Sequence, residues 1–162
     1  SSYGHIANIG EKNMGDPGVL SWFLGYCRAN YPSPNYGLVI WNHGGGARAP
    51  ARRASGPQRE IAEDSTSGDC LYLEELRQAM AAKFSSGDKL DFLGMDACYM
   101  ATAEVAWELR DLAKYMVGSM NSEQGDGWDY EYILKNLGTG DVTPEAFAVA
   151  IVDQSWSLNC LG

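Results

Sequence analysis

The segment Tyr36-Gly37-Leu38-Val39-Ile40-Trp41 carries no charge and runs straight into Asn42-His43-Gly44-Gly45-Gly46. A short, β-branched, almost wholly apolar run reads as a strand. Its lack of polar alternation predicts burial on both faces, as in a parallel sheet. A second run, Leu90 to Met95, leads into Asp96-Ala97-Cys98, and a third strand is expected over residues 114–119. Helical spacing fills the gaps. Asp16-Pro17 opens a helix to Asn30, residues 71–84 are amphipathic, and residues 101–112 are strongly helical. A short helix ends near Leu137, and Thr143-Pro144 begins a last one through about Trp156. Alternating strands and helices mean an α/β fold with a mainly parallel sheet.

The rest of the chain reads as connection. Residues 1–15 look irregular. Residues 47–69 are rich in Ala, Gly, Ser and Pro and hold Arg48, Arg52, Arg53 and Arg59, so a mobile, Arg-rich loop is expected there. At 162 residues and 45% apolar composition the chain suits one domain with a real core. The net charge of −9 repels phosphate backbones and argues against nucleic acid. No apolar run approaches the roughly 20 residues needed to span a bilayer. No basic-then-apolar leader opens the chain, so a signal peptide is expected to be absent or removed. The four cysteines form no CxxC pair. Cys27 reads as packed, and a disulfide from Cys70 to Cys160 is left open. The Trp and Tyr residues on helices read as core.

Functional groups gather at the carboxyl ends of parallel strands. Here those ends supply His43 and, 55 positions on, Cys98. A thiol attacks as the thiolate, and at an ordinary pKa only about 3% is ionised at neutral pH. A histidine partner and a following helix N-terminus both favour the anion. A helix is expected directly after Cys98. Position alone also allows Cys98 to be a small core residue. The three glycines after His43 suggest close backbone approach to a carbonyl or oxyanion. His-Gly-Gly-Gly also occurs in the oxyanion loop of some α/β-hydrolases, but the GxSxG elbow they need is missing. A P-loop, GxGxxG and HExxH are missing too.

Four blocks, in order, resemble the clostripain-like cysteine peptidases. They are Gly10-Glu11-Lys12-Asn13-Met14-Gly15-Asp16-Pro17, then residues 38–46, then Met95-Asp96-Ala97-Cys98-Tyr99-Met100-Ala101-Thr102, and Gly125-Asp126-Gly127-Trp128-Asp129-Tyr130. That family shares the caspase-like architecture of caspases, legumains, gingipains and separase. The resemblance implies a caspase-like sheet flanked by helices, incomplete here because three clear strands are fewer than such a sheet holds. Residues 1–162 would then be the central part of one peptidase domain.

The resemblance further implies a His43–Cys98 dyad that hydrolyses peptide bonds after Arg or Lys through a thioester. The backbone N–H groups of Gly44 and Cys98 would form the oxyanion hole, and Asp96 and Asp126 would line an acidic specificity pocket. Arg48, Arg52 and Arg53 become candidate self-cleavage sites. Substrates would be proteins or peptides, with no nucleic-acid or membrane partner, and with missing segments of its own domain as a further partner. A secreted or cell-envelope bacterial protein is implied. No cofactor is required; the family admits calcium, for which the sequence shows no EF-hand loop or other site. A catalytically silent or truncated domain used for binding is the alternative.

Overall fold

The computed structural model describes residues 8–46, 60–123, 125–136 and 142–159. Helix α1 spans Pro17–Asn30, β1 Gly37–Trp41, β2 Glu60–Asp64 and β3 Asp69–Tyr72. Helix α2 spans Leu73–Ala81, β4 Leu90–Asp96, α3 Ala103–Leu109 and β5 Ala113–Gly118. Two helices follow, α4 Tyr130–Asn136 and α5 Pro144–Asn159.

Strands β1, β4 and β5 form a parallel sheet with β4 in the middle. All seven residues of β4 are buried. From Phe92 to Asp96 its side chains alternate between the two faces of the sheet. Leu93 and Met95 join Leu38, Ile40, Leu76, Met80 and Val105 in the larger of two cores. Phe92 joins Trp128, Ile133, Ala148 and Ile151 in the smaller one, with Val39 and Val117 packed against it. Asp96 shares a face with Phe92, so the strand delivers a carboxylate to the Trp128 side of the sheet.

Local chemistry sets the ends of the helices. The Asp16 side chain accepts from Gly18 N–H at 2.7 Å, and Pro17 supplies a φ already suited to the first turn. Thr102 accepts from Val105 N–H at 3.4 Å to start α3, and Thr143 accepts from Ala146 N–H at 3.2 Å to start α5.

The structure corrects four expectations. Strand β1 is not buried on both faces: Leu38 and Ile40 are buried while Gly37 and Trp41 are exposed, because β1 is an edge strand among the described residues. Residues 60–72, expected as loop and helix start, instead form the antiparallel hairpin β2–β3. Ile61 and Leu71 are the two apolar residues it sinks into the main core, too few to show a period of two. The helix expected directly after Cys98 starts only at Ala103. Trp22, Trp107 and Tyr132, expected as core, are exposed, and α1 buries only Leu24. The central Arg-rich stretch, residues 47–59, lies outside the described residues, as does Cys160.

The block at residues 10–17 now has a structural role. Met14 N–H donates to Asp64 Oδ2 at 2.8 Å and Asn13 Nδ2 to Asp69 Oδ2 at 2.7 Å, pinning it to the hairpin. The N–H groups of Met14 and Ser67 hold the Asp64 carboxyl below the usual carboxylate range.

Candidate active site

Parallel pairing sets Trp41 of β1 opposite Asp96 of β4. Asn42 N–H extends the ladder to Asp96 C=O at 3.3 Å. His43 and Cys98 therefore each stand two residues beyond a paired position, side by side at the carboxyl edge of the sheet. Gly44 lies against the Cys98 peptide. A Cβ on Gly44 would collide with the Cys98 carbonyl oxygen and sit 3.0 Å from the Cys98 nitrogen. No other residue fits that approach, which explains the first glycine after the histidine.

The histidine loop is braced from below. Asn42 Oδ1 accepts from His43 N–H at 2.6 Å and from Glu63 N–H at 3.3 Å, while Asn42 Nδ2 donates to Glu63 C=O at 3.1 Å. Gly45 N–H donates to Glu60 C=O at 3.0 Å. The hairpin thus does for the loop what a neighbouring strand does for a strand.

Cys98 is half-buried, and its Sγ accepts from Glu123 N–H at 3.2 Å. This backbone N–H is the donor that the sulfur meets. It takes the place of the helix N-terminus expected there. The chain reaches α3 late because residues 99–101 pair with residues 119–121 instead. Tyr99 N–H donates to Asn121 C=O at 2.9 Å and Ala101 N–H to Ser119 C=O at 2.8 Å. Tyr99 pays for this with φ of +60°, a conformation L residues rarely adopt.

A cavity of about 270 Å³ opens on these groups, lined by Trp41, His43, Asp96, Cys98 and Glu123 among others. Asp96 is 2% exposed. Its Oδ2 accepts from Tyr130 O–H at 2.6 Å and from Trp128 N–H at 3.0 Å. Its Oδ1 is buried and has no hydrogen-bond partner among the described residues. Gly127 permits this geometry. With φ of +69°, it has only 2.6 Å between a virtual Cβ and Trp41 Nε1 and 2.7 Å to Asp96 Oδ2. Glu123 accepts from Trp128 Nε1 at 3.4 Å. Burial pushes the Glu123 carboxyl up; the indole N–H opposes the rise and the charge on Asp96 adds to it. Burial and the hydrogen bond to Asp96 raise the Tyr130 phenol too, so it stays a donor.

The structure brings His43, Gly44, Asp96 and Cys98 together. Asp126 lies on the exposed turn before Gly127 and is not among the residues lining the cavity. Arg48, Arg52 and Arg53 lie outside the described residues. Sequence reasoning missed Asn42 and Glu123, and gave Tyr130 no role. Only the blocks at 38–46 and 125–130 pointed near two of them.

The model of the clostripain family matches residues 5–157. The chain belongs to the clostripain family. Clostripain of Hathewaya histolytica is 38% identical over 146 residues, which is 82% of this chain and 26% of that protein. A secreted C11 cysteine protease from Bacteroides thetaiotaomicron, solved with an irreversible peptide inhibitor, superposes with a TM-score of 0.77. It is 29% identical and is matched over 96% of this chain and 41% of its own. An inactive zymogen C11 protease from Parabacteroides distasonis gives 0.67 at 26% identity, over 94% and 38% of the two chains. The fold is therefore that of the C11 caspase-like proteases, and the chain spans well under half of these relatives. No described helix is long and apolar enough to cross a membrane. Among the described residues no group of three or more His, Cys, Asp or Glu is arranged to hold a metal ion.

Proposed function

We propose that the protein is a cysteine endopeptidase that hydrolyses peptide bonds after Arg or Lys. One observation carries the specificity: the buried, unpartnered Oδ1 of Asp96 in the wall of the cavity that His43 and Cys98 share. A buried carboxylate oxygen without a donor is costly, and a guanidinium or ammonium of a substrate satisfies it. With Oδ2 occupied by Tyr130 and Trp128, Asp96 offers one oxygen, and Glu123 is placed to supply a second carboxylate to the same cation.

The chemistry follows from the placement. The Cys98 thiolate attacks the scissile carbonyl carbon, forming a C–S bond and an oxyanion. The N–H groups of Gly44 and Cys98, whose backbones lie against each other, receive that charge. His43 donates a proton to the leaving amine as the C–N bond breaks, leaving a thioester. Water then attacks the thioester with His43 as base, the C–S bond breaks, and the new carboxylate and the sulfur separate.

Self-cleavage at Arg48, Arg52 or Arg53 extends this reading. Residues 46 and 60 bracket that stretch, and the bonds from Gly45 to Glu60 and from Asn42 to Glu63 tie its two ends together. A nick between them would leave the histidine loop braced. Mass spectra of incubated active protein should show cleavage there, and an uncut segment would remove this part. Following the secreted relative, we also place the protein outside the cell.

Fluorogenic peptides ending in Arg, Lys, Asp or Leu test the specificity on the full-length protein. Turnover confined to Arg and Lys, and lost in Asp96→Asn, is expected. Equal turnover of Leu peptides would overturn it.

A further inference from the structure

We propose that a basic side chain bound in the cavity activates the nucleophile, with Glu123 as the link. The inference rests on the cation-pocket reading above and adds a consequence for chemistry. Glu123 meets both the nucleophile and the cavity. Its backbone N–H donates to Cys98 Sγ at 3.2 Å, and its carboxylate lines the cavity with Asp96.

Two effects act through it. The first is electrostatic. An anionic sulfur in a cavity lined by two carboxylates is repelled by both, and a cation seated between them removes that repulsion. The second is geometric. Residues 119 and 121 are already tied to residues 101 and 99 by backbone hydrogen bonds, so the strip that ends at Glu123 is anchored on its early side. Trp128 Nε1 already donates to the Glu123 carboxylate at 3.4 Å, and a cation gripping the same carboxylate adds a second tie there, steadying the N–H aimed at sulfur. Basic specificity then appears in the rate of the chemical step as well as in binding.

The test uses a cation too small to carry a scissile bond. Full-length protein is treated with iodoacetamide at pH 6 with and without n-butylguanidinium, and the Cys98 peptide is followed by mass spectrometry. The Cys98 sulfur attacks the methylene carbon, the S–C bond forms, and iodide leaves. The expected result is a saturable acceleration of Cys98 alkylation by about fivefold. The same guanidinium should inhibit hydrolysis of an Arg peptide competitively. Glu123→Gln keeps the backbone donor and removes the charge, so the acceleration should shrink towards unity.

The two readings fail separately. If the guanidinium does not compete with the Arg peptide, the cation pocket itself is wrong. If it competes but leaves alkylation unchanged or slows it, the pocket stands and the activation is overturned. Full acceleration in Glu123→Gln overturns Glu123 as the link. Should that variant misfold, the wild-type comparison still decides between activation and none.

Discussion

At Glu123 stability and function pull in opposite directions. Its carboxyl is pushed up in the folded state by burial and, further, by Asp96, against the pull of the Trp128 indole. Below the unfolded-state value both states are protonated and nothing is lost. As pH rises through that value the folded state resists ionising and stability falls, and past the folded value the cost of the buried charge is constant. Glu123→Gln should therefore raise the melting temperature at pH 7 while lowering turnover of Arg peptides, a trade seen where sites store unfavourable charge. A lower melting temperature for the variant at pH 7 would show that the carboxylate is not penalised. Gly44→Ala should fold but lose most activity, since its methyl collides with the Cys98 carbonyl. Wild-type kcat in that variant would show that the two backbones need not touch.

The elements explain how the site is held. Asn42 substitutes for a strand neighbour by bonding both backbone groups of Glu63. Asn42→Ala should reduce kcat about tenfold or more with KM little changed, because it loosens the histidine loop and not the pocket. An increase in KM alone would place Asn42 in binding instead. At the other end of the sheet, Asp91 of β4 accepts from Tyr36 N–H at 2.9 Å and from Lys114 of β5 at 2.6 Å. Burial raises its carboxyl, but Lys114 and the Tyr36 N–H outweigh that and hold it below the usual range. A lowered folded value means the stabilisation is present above the unfolded pKa near 4 and is lost as pH falls through the folded value. Asp91→Ala should cost about 2 kcal/mol at pH 7 in urea unfolding, and less in acid. A cost independent of pH would contradict the ion pair.

The whole molecule shows why some of this was legible and some was not. His43 and Cys98 could be found because each follows a strand, and parallel strands put such residues at one edge. The double burial read from Tyr36–Trp41 belongs to β4; which strand is central depends on pairing order, and a single strand's composition does not encode it. The hairpin at residues 60–72 was invisible because Ile61 and Leu71 are the only apolar residues it buries in the core, amid charges. Glu123 escaped because it acts on Cys98 through its backbone from 25 residues away, and every residue type but proline carries that N–H. Gly94 ties the layers together: a Cβ there would lie 2.9 Å from Trp128, whose N–H holds Asp96.

The central claim is that Cys98 attacks the carbonyl after a basic residue and His43 completes the hydrolysis. Acid-quenching full-length protein during turnover of an Arg-terminated ester, then mapping the adduct by mass spectrometry, tests it most directly. An acyl group of the substrate's mass is expected on the Cys98 peptide, absent in Cys98→Ala together with all turnover, and accumulating when His43→Ala slows deacylation. Turnover that survives Cys98→Ala, or an acyl group on any other residue, would contradict it.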